Sequence, residues 1–432
     1  MLNNSLHVPL DYRFDSKIWN PPTWKAYRLQ YAPDFWYNGY DGIKLGLNMS
    51  GNFANYKNIF DASVWFNSGL VQANLDTGKR INKFDNIAFS LQYYTPTDKF
   101  SKNSAINFDV RLLDGLNLYG VGMEKKSKSG KDVVSVSFKS MIRKDSTDLY
   151  YLLYPNEWQI NKLNNTITLG LNHKYKYSYG NGNIDLSLKS STLMSAYDYA
   201  SVNLTVTNKN KLGKKFNFNT RFIAQYGTGK FWPSESQLYV AGANPEELMD
   251  NKFTRSQGFF PMEWMGYSEK TNYFQMGGGL NLRGYAGYLA PEGLSDGNIR
   301  FAYKGTSGAA FNAELEFDQV FKRKHYSKFV TTHYKLYKLS YRIKTTFKLN
   351  TYLFGDIGMI NYNSYYEDFA LTDFRADAGI GTALTIKRWG PLQTVNPLTI
   401  RFDMPLFLNR IPAADNGEFV KFRWLVGISR CF

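Results

Sequence analysis

Polar and apolar residues alternate with a period of two along most of this chain. Between Asn165 and Ser178, the residues Ile167, Leu169, Leu171, Tyr175 and Tyr177 share one face. Thr166, Thr168, Gly170, Asn172, Lys174 and Lys176 share the other. Successive side chains of a strand point to opposite faces, so this pattern predicts a strand rather than a helix. Its recurrence predicts sixteen strands: Trp24–Pro33, Ile43–Phe53, Asn58–Asn67, Asn86–Thr95, Ser104–Leu112, Gly115–Ser127, Asp132–Arg143, Asn165–Ser178, Asn183–Ser191, Tyr199–Asn208, Lys214–Tyr226, Ala310–Val320, Leu349–Ile360, Phe374–Lys387, Asn396–Phe407 and Phe419–Phe432. An even number of antiparallel strands, apolar on one face and charged on the other, is the pattern of a transmembrane β-barrel with lipid outside and a polar lumen. The fold class is therefore expected to be all-β, an antiparallel barrel.

The links agree with that reading. If Trp24–Pro33 runs outward, the long links 68–85, 144–164, 227–309, 361–373 and 408–418 all fall on the extracellular side. The short links 54–57, 128–131, 179–182 and 209–213 fall on the periplasmic side. Gly180-Asn181-Gly182 tolerates positive φ and so makes a tight reversal cheap. One link, 321–348, is long where a short one is expected. From Lys322 to Lys348 it carries only cations, and no acid. It reads either as two strand extensions with solvated lysines or as a surface for lipid phosphates or an acidic partner.

Composition narrows the class without deciding it. The chain has 432 residues, 17% of them aromatic, and only 43% are hydrophobic. Its mean hydropathy is −0.41. A barrel keeps mean hydropathy low because only every second residue meets lipid. No run approaches the ~18 apolar residues that a transmembrane helix needs. Cys431 is the only cysteine, which rules out an internal disulfide. The net charge of +16 raises nucleic-acid binding. That is set aside on the ground that the lysines are spread over alternating strands rather than gathered in a patch. Met1–Leu10 shows no secretory signal, so the chain is expected to be mature or truncated. The four histidines, His7, His173, His325 and His333, form no His-Glu-x-x-His, and no Gly-x-Ser-x-Gly or phosphate-binding glycine loop occurs. The paired acids Glu246-Glu247 read as solvated loop residues. No enzyme, metal or cofactor is expected.

The longest link contains Gly277-Gly278-Gly279-Leu280-Asn281-Leu282-Arg283-Gly284-Tyr285. This resembles the Gly-Gly…Arg-Gly-Tyr/Phe signature of the BamA-type outer-membrane assembly and translocation superfamily, whose sixth extracellular loop folds back into the barrel. Asn312-Ala-Glu-Leu-Glu-Phe317 is similar to that family's twelfth strand, and Phe354-Gly-Asp-Ile-Gly358 to its thirteenth. The resemblance implies that an acid on each strand holds the loop arginine. Carried over, these are Glu316 and Asp356, both on the non-lipid face by parity. An arginine fork suits a carboxylate in a partly dry lumen. Gly284 would let the loop tip pass close to the wall, and Tyr285 would pack beside the arginine. Gly379-Ile-Gly381, Asn396–Leu406 and the final strand resemble the family's last three strands. The closing aromatic, Phe432, resembles the assembly signal of outer-membrane barrels. Arg430 falls on the lipid side by count. The likeness is specific from Gly277 to Phe432.

Two departures qualify it. Met1–Thr23 is too short for a periplasmic POTRA domain, and the loop is enlarged by Gly227–Gln275, whose aromatic stretch Gly258–Gly266 is expected to plug the lumen. The expected layout is a leading segment, 1–23, and a barrel, 24–432, with the loop at 227–309. The resemblance implies residence in the bacterial outer membrane. It implies insertion or assembly of outer-membrane proteins through a weakly paired lateral seam, in which Tyr27 and Leu29 face Trp424, Gly427 and Phe432. A translocation channel for a secreted polypeptide is the neighbouring alternative. A passive membrane anchor for a POTRA or hydrolase domain is the other. A diffusion porin is disfavoured by the inward-folding loop. The implied partners are outer-membrane lipids, client polypeptides and accessory lipoproteins.

Overall fold

A computed structural model of the chain describes residues 8–14, 24–39, 41–72, 87–98, 101–144, 157–213, 216–256, 258, 260–261, 264, 273–286, 291–293, 299–301, 303–317, 346–361, 374–387, 397–411, 418–430 and 432. A short strand β1 (Leu10–Phe14) precedes an antiparallel series. The series begins with β2 (Tyr27–Asn38), β3 (Gly42–Phe53), β4 (Lys57–Asn67), β5 (Ile87–Pro96), β6 (Ser104–Leu113) and β7 (Leu116–Lys126). It continues through β8 (Asp132–Arg143), β9 (Asn164–Tyr177), β10 (Gly180–Ser191), β11 (Asp198–Leu212) and β12 (Phe216–Phe231). The long loop that follows carries β13 (Leu238–Tyr239), helix α1 (Pro245–Leu248), β14 (Phe274–Met276), β15 (Pro291–Gly293), β16 (Ile299–Phe301) and β17 (Lys304–Gly305). The series resumes with β18 (Gly308–Glu316), β19 (Phe347–Ile360), β20 (Arg375–Ile386), β21 (Leu398–Leu408) and β22 (Leu425–Ile428).

Each strand of the series pairs antiparallel with the next, and β12 pairs with β18 across the loop. The main sheet has eighteen strands rather than sixteen. The two additions are β1, parallel to β2, and β14, parallel to β22. Neither was legible, since three to five residues carry too little periodicity. The last strand is also shorter than Phe419–Phe432. Its ladder with β21 covers only Leu425–Ile428, preceded by an isolated bridge at Val420.

The sheet is inside out relative to a soluble protein. On β19, Asn350, Tyr352 and Asp356 are 2%, 0% and 3% exposed, whereas Leu349, Leu353 and Ile357 are 64%, 45% and 43% exposed. Apolar side chains facing out and polar ones facing in are what a bilayer outside and an aqueous lumen select. The inner face wraps around the loop. Lys252 pairs with Asp34 on β2, Asp250 with Arg111 on β6, and Glu246 with Lys139 on β8 and Lys189 on β10. Arg221 on β12 donates to Gly279 O at 2.8 Å, and Arg401 on β21 donates to Gln275 at 2.9 Å. One segment that touches walls so far apart in the series requires the sheet to be curled into a barrel around it.

Glu246 is therefore not a free solvated loop acid, whereas Glu247 stays exposed. Glu247 closes a capping box on α1 with Asn244, and Glu246 meets wall lysines. The basic link 322–348 lies almost entirely outside the described residues.

Candidate functional site: the loop clamp and the seam

Backbone hydrogen bonds bring the loop's signature to the wall. Leu280 N donates to Tyr239 O and Leu282 N to Val240 O, both at 2.9 Å. Leu280 and Leu282, 0% and 1% exposed, pack with Leu238, Val240, Ile223 and Ile360. This apolar knot anchors the backbone, and a single 3-10 turn over Arg283–Tyr285 then aims the guanidinium at β18 and β19.

Arg283 is held on four sides. Its Nε donates to Asp356 Oδ2 at 2.8 Å and its Nη2 to Asp356 Oδ1 at 2.9 Å. Its Nη1 donates to Glu314 Oε1 at 2.7 Å. The Phe354 ring lies 4.0 Å from its guanidinium carbon. Burial opposes the arginine's charge. The carboxylates of Asp356 and Glu314 overcome that burial and hold it protonated, well above its ordinary value. A bidentate, fully desolvated pair fixes both position and orientation.

The acid on β18 is Glu314, not Glu316. Both point into the lumen, so parity could not separate them, and the acid carried over from the resemblance, Glu316, is not the one that meets Arg283. Register decides it: Asn312 lies opposite Asp356, and Glu314 opposite Phe354. Glu316 instead accepts from Arg430 at 2.7 Å, and Arg430 also meets Glu314. Arg430 thus lies inside, not on the lipid side. Ser429, at φ 60, breaks the alternation just before it.

Asn312 and Arg221 complete the clamp and were not expected. Asn312 Nδ2 donates to Asp356 Oδ1 at 3.0 Å and to Leu280 O at 3.2 Å, and Arg221 Nη1 donates to Asn312 Oδ1 at 3.1 Å. The only signal for Asn312 was its parity with Glu314. Gly284 passes against the wall so closely that a Cβ would lie 2.3 Å from Leu408 Cδ2 and 2.6 Å from Asp377 Cβ. Tyr285 packs within the same knot, and its hydroxyl donates to Asn409 Oδ1 at 2.9 Å.

The expected seam residues are not brought together. Tyr27 and Leu29 pair with Leu10 and Tyr12 of β1. Among the described residues, β2 and β22 share no ladder. The free edge of β22 is taken by the loop: Phe274, Gln275 and Met276 pair with Val426, Gly427 and Ile428. Val426 N donates to Tyr273 O at 2.7 Å, and Gly277 N to Ile428 O at 3.0 Å. Trp424 stacks on Tyr273 with centroids 4.3 Å apart and meets Trp264 edge-on at 5.4 Å. So Trp264, within the aromatic stretch expected to plug the lumen, packs at the wall instead. Gly258 closes in from the other side, where a Cβ would lie 2.4 Å from Gly39 N. Gly427 gives room to Arg401, whose Nη2 would be 2.6 Å from a Cβ there. Phe432 lies beyond the end of β22.

The loop also carries a buried carboxyl at Glu235. Glu235 is 3% exposed, and burial raises its carboxyl to about 7 from 4.5. The released loop ionises first, so loop packing is fully favoured below pH ~4.5, loses stability as pH rises, and has lost it above pH ~7. The span corresponds to roughly 3 kcal/mol. Glu235→Gln is expected to remove this pH dependence of the urea midpoint between pH 5 and 8. A variant that keeps the wild-type slope would show that Glu235 is not its source.

No protein-family model matches the chain, and no curated protein does. Several solved structures resemble it in part. CdiB from Escherichia coli aligns at 10% identity and a TM-score of 0.47, over 92% of this chain and 62%, less than two thirds, of that one. BamA from Haemophilus ducreyi lacking POTRA domains 1–3 aligns at 14% identity and a TM-score of 0.46, over 93% of this chain and 70% of that one. A BenF-like porin from Pseudomonas fluorescens Pf-5 aligns at 8% identity and a TM-score of 0.40, over 93% and 85%.

Proposed function

We propose that this chain is an outer-membrane barrel of the BamA type and that it inserts or assembles client outer-membrane proteins through the seam between β2 and β22. The carrying observation is that these two strands do not pair with each other among the described residues. Their edges are covered by β1 and by the loop strand β14. A strand edge presents unpaired N–H and C=O groups and is a template for another chain. Three residues of parallel pairing make a light cover, which a longer client strand can outcompete. The Arg283 clamp supports the same reading, because it holds the loop where β14 reaches β22. Outer-membrane lipids, client polypeptides and accessory lipoproteins are the partners this implies.

Translocation of a secreted polypeptide through the lumen is the second reading. It is favoured by a loop that fills the lumen through ion pairs with the wall rather than through an apolar core alone. The test reconstitutes the barrel in liposomes and follows folding of a urea-unfolded outer-membrane barrel. Insertion activity predicts at least a tenfold rate increase over liposomes alone. An unchanged rate would contradict it and leave translocation or a passive anchor.

A further inference from the structure

The lysines that the sequence scatters are gathered by the register. Lys174 and Lys176 of β9 lie opposite Asn183 and Asn181 of β10, and Lys209 of β11 lies opposite Asn181 from the other side. Lys211 N donates to Tyr179 O at 2.8 Å, and Lys174 N donates to Lys131 O at 2.9 Å. Two lysine pairs thus flank the neutral strand β10, at the end of the barrel where the turns are short. Residues two apart in a strand lie roughly 7 Å apart, and the pairs are two strand spacings, roughly 10 Å, from each other.

Parity puts all four on the inner wall. Ile167, Leu169 and Leu171 of β9 face out, and so do Tyr175 and Tyr177, which stack at 6.1 Å. Lys174 and Lys176 alternate with them. All four lysines are exposed, and among the described residues none forms an ion pair. The nearby inner-wall acid Asp185 is taken by Asn172 and Asn183. Like charges side by side cost stability and return nothing to the fold, which directs attention to a ligand.

We infer that this mouth of the barrel is a docking site for an extended acidic polypeptide segment. In an extended chain, carboxylates two residues apart share the ~7 Å spacing of each lysine pair. A segment lying along β10 would meet one pair on each side. Bilayer headgroups are a poorer fit, since they surround the outer face and these side chains point inward. Nucleic acid is also a poorer fit: the inner-wall neighbours are Asn and Thr, and the stacking tyrosines are on the opposite face. The inference does not depend on insertion activity.

The test uses the whole barrel in phosphatidylcholine nanodiscs and a dansylated peptide of alternating Glu and Thr. The peptide should bind at low salt and weaken as salt rises. K174Q/K176Q/K209Q/K211Q should raise its Kd at least tenfold. In the unmodified barrel, bound peptide should protect these lysines from acylation, a readout that needs no variant to fold. Equal affinity in a heat-modifiable, folded quadruple variant would overturn the site, as would protection elsewhere. Tighter binding of an equally charged dT oligonucleotide, or of phosphatidylglycerol vesicles, to the same lysines would overturn the assignment to a polypeptide.

Discussion

Arg283→Met is expected to lower the barrel's unfolding free energy by about 3–5 kcal/mol, the cost of removing one partner from a buried ion pair. Asp356 and Glu314 are 3% and 2% exposed and would remain behind. Arg430 still reaches Glu314, but Asp356 loses its guanidinium partner and keeps no cation among the described residues, with Asn312 still donating to it. The loop should then leave the wall. Urea unfolding should shift to a lower midpoint, proteolysis between residues 232 and 307 should quicken, and single-channel conductance should rise. Arg283→Lys should rescue little, because an ammonium cannot make the two parallel bonds to Asp356. A variant with unchanged midpoint and conductance would mean that the clamp does not hold the loop.

Locking β14 onto β22 should have an equally large effect on function. Phe274→Cys with Val426→Cys, in a Cys431→Ser background, places two thiols at directly paired positions. Direct strand neighbours fall within the Cα separation a disulfide accepts. If clients are inserted at this edge, the oxidised form should lose the rate increase over liposomes, and a reductant should restore it. Full activity in the oxidised form would move insertion away from β22.

The sequence carried the barrel because its information is local. On β19, each inward polar residue and each outward apolar one can be read two residues at a time. The clamp was legible in part for the same reason: Arg283, Gly284 and Asp356 sit in recognisable short segments. The choice between Glu314 and Glu316 was not legible, since both share a face and only the register of β18 against β19 separates them. Arg430 was misread because one residue in the left-handed region, Ser429, ends the alternation. The strand β14 has three residues and no period. The lysine groups at Lys174 and Lys209 are remote in sequence and meet only through the pairing of β9, β10 and β11. Apart from Arg430, each miss concerns a pairing between distant segments, which periodicity along one segment does not encode.

The clamp is tested most directly by a double-mutant cycle between Arg283→Met and Asp356→Asn, read by urea unfolding of the barrel. Contacting buried groups couple by up to about 3 kcal/mol, and this pair is expected to reach at least about 2 kcal/mol. Arg283 with Glu316→Gln should give a clearly smaller value. Additive effects for Arg283 and Asp356 would contradict a loop held to the wall by that ion pair.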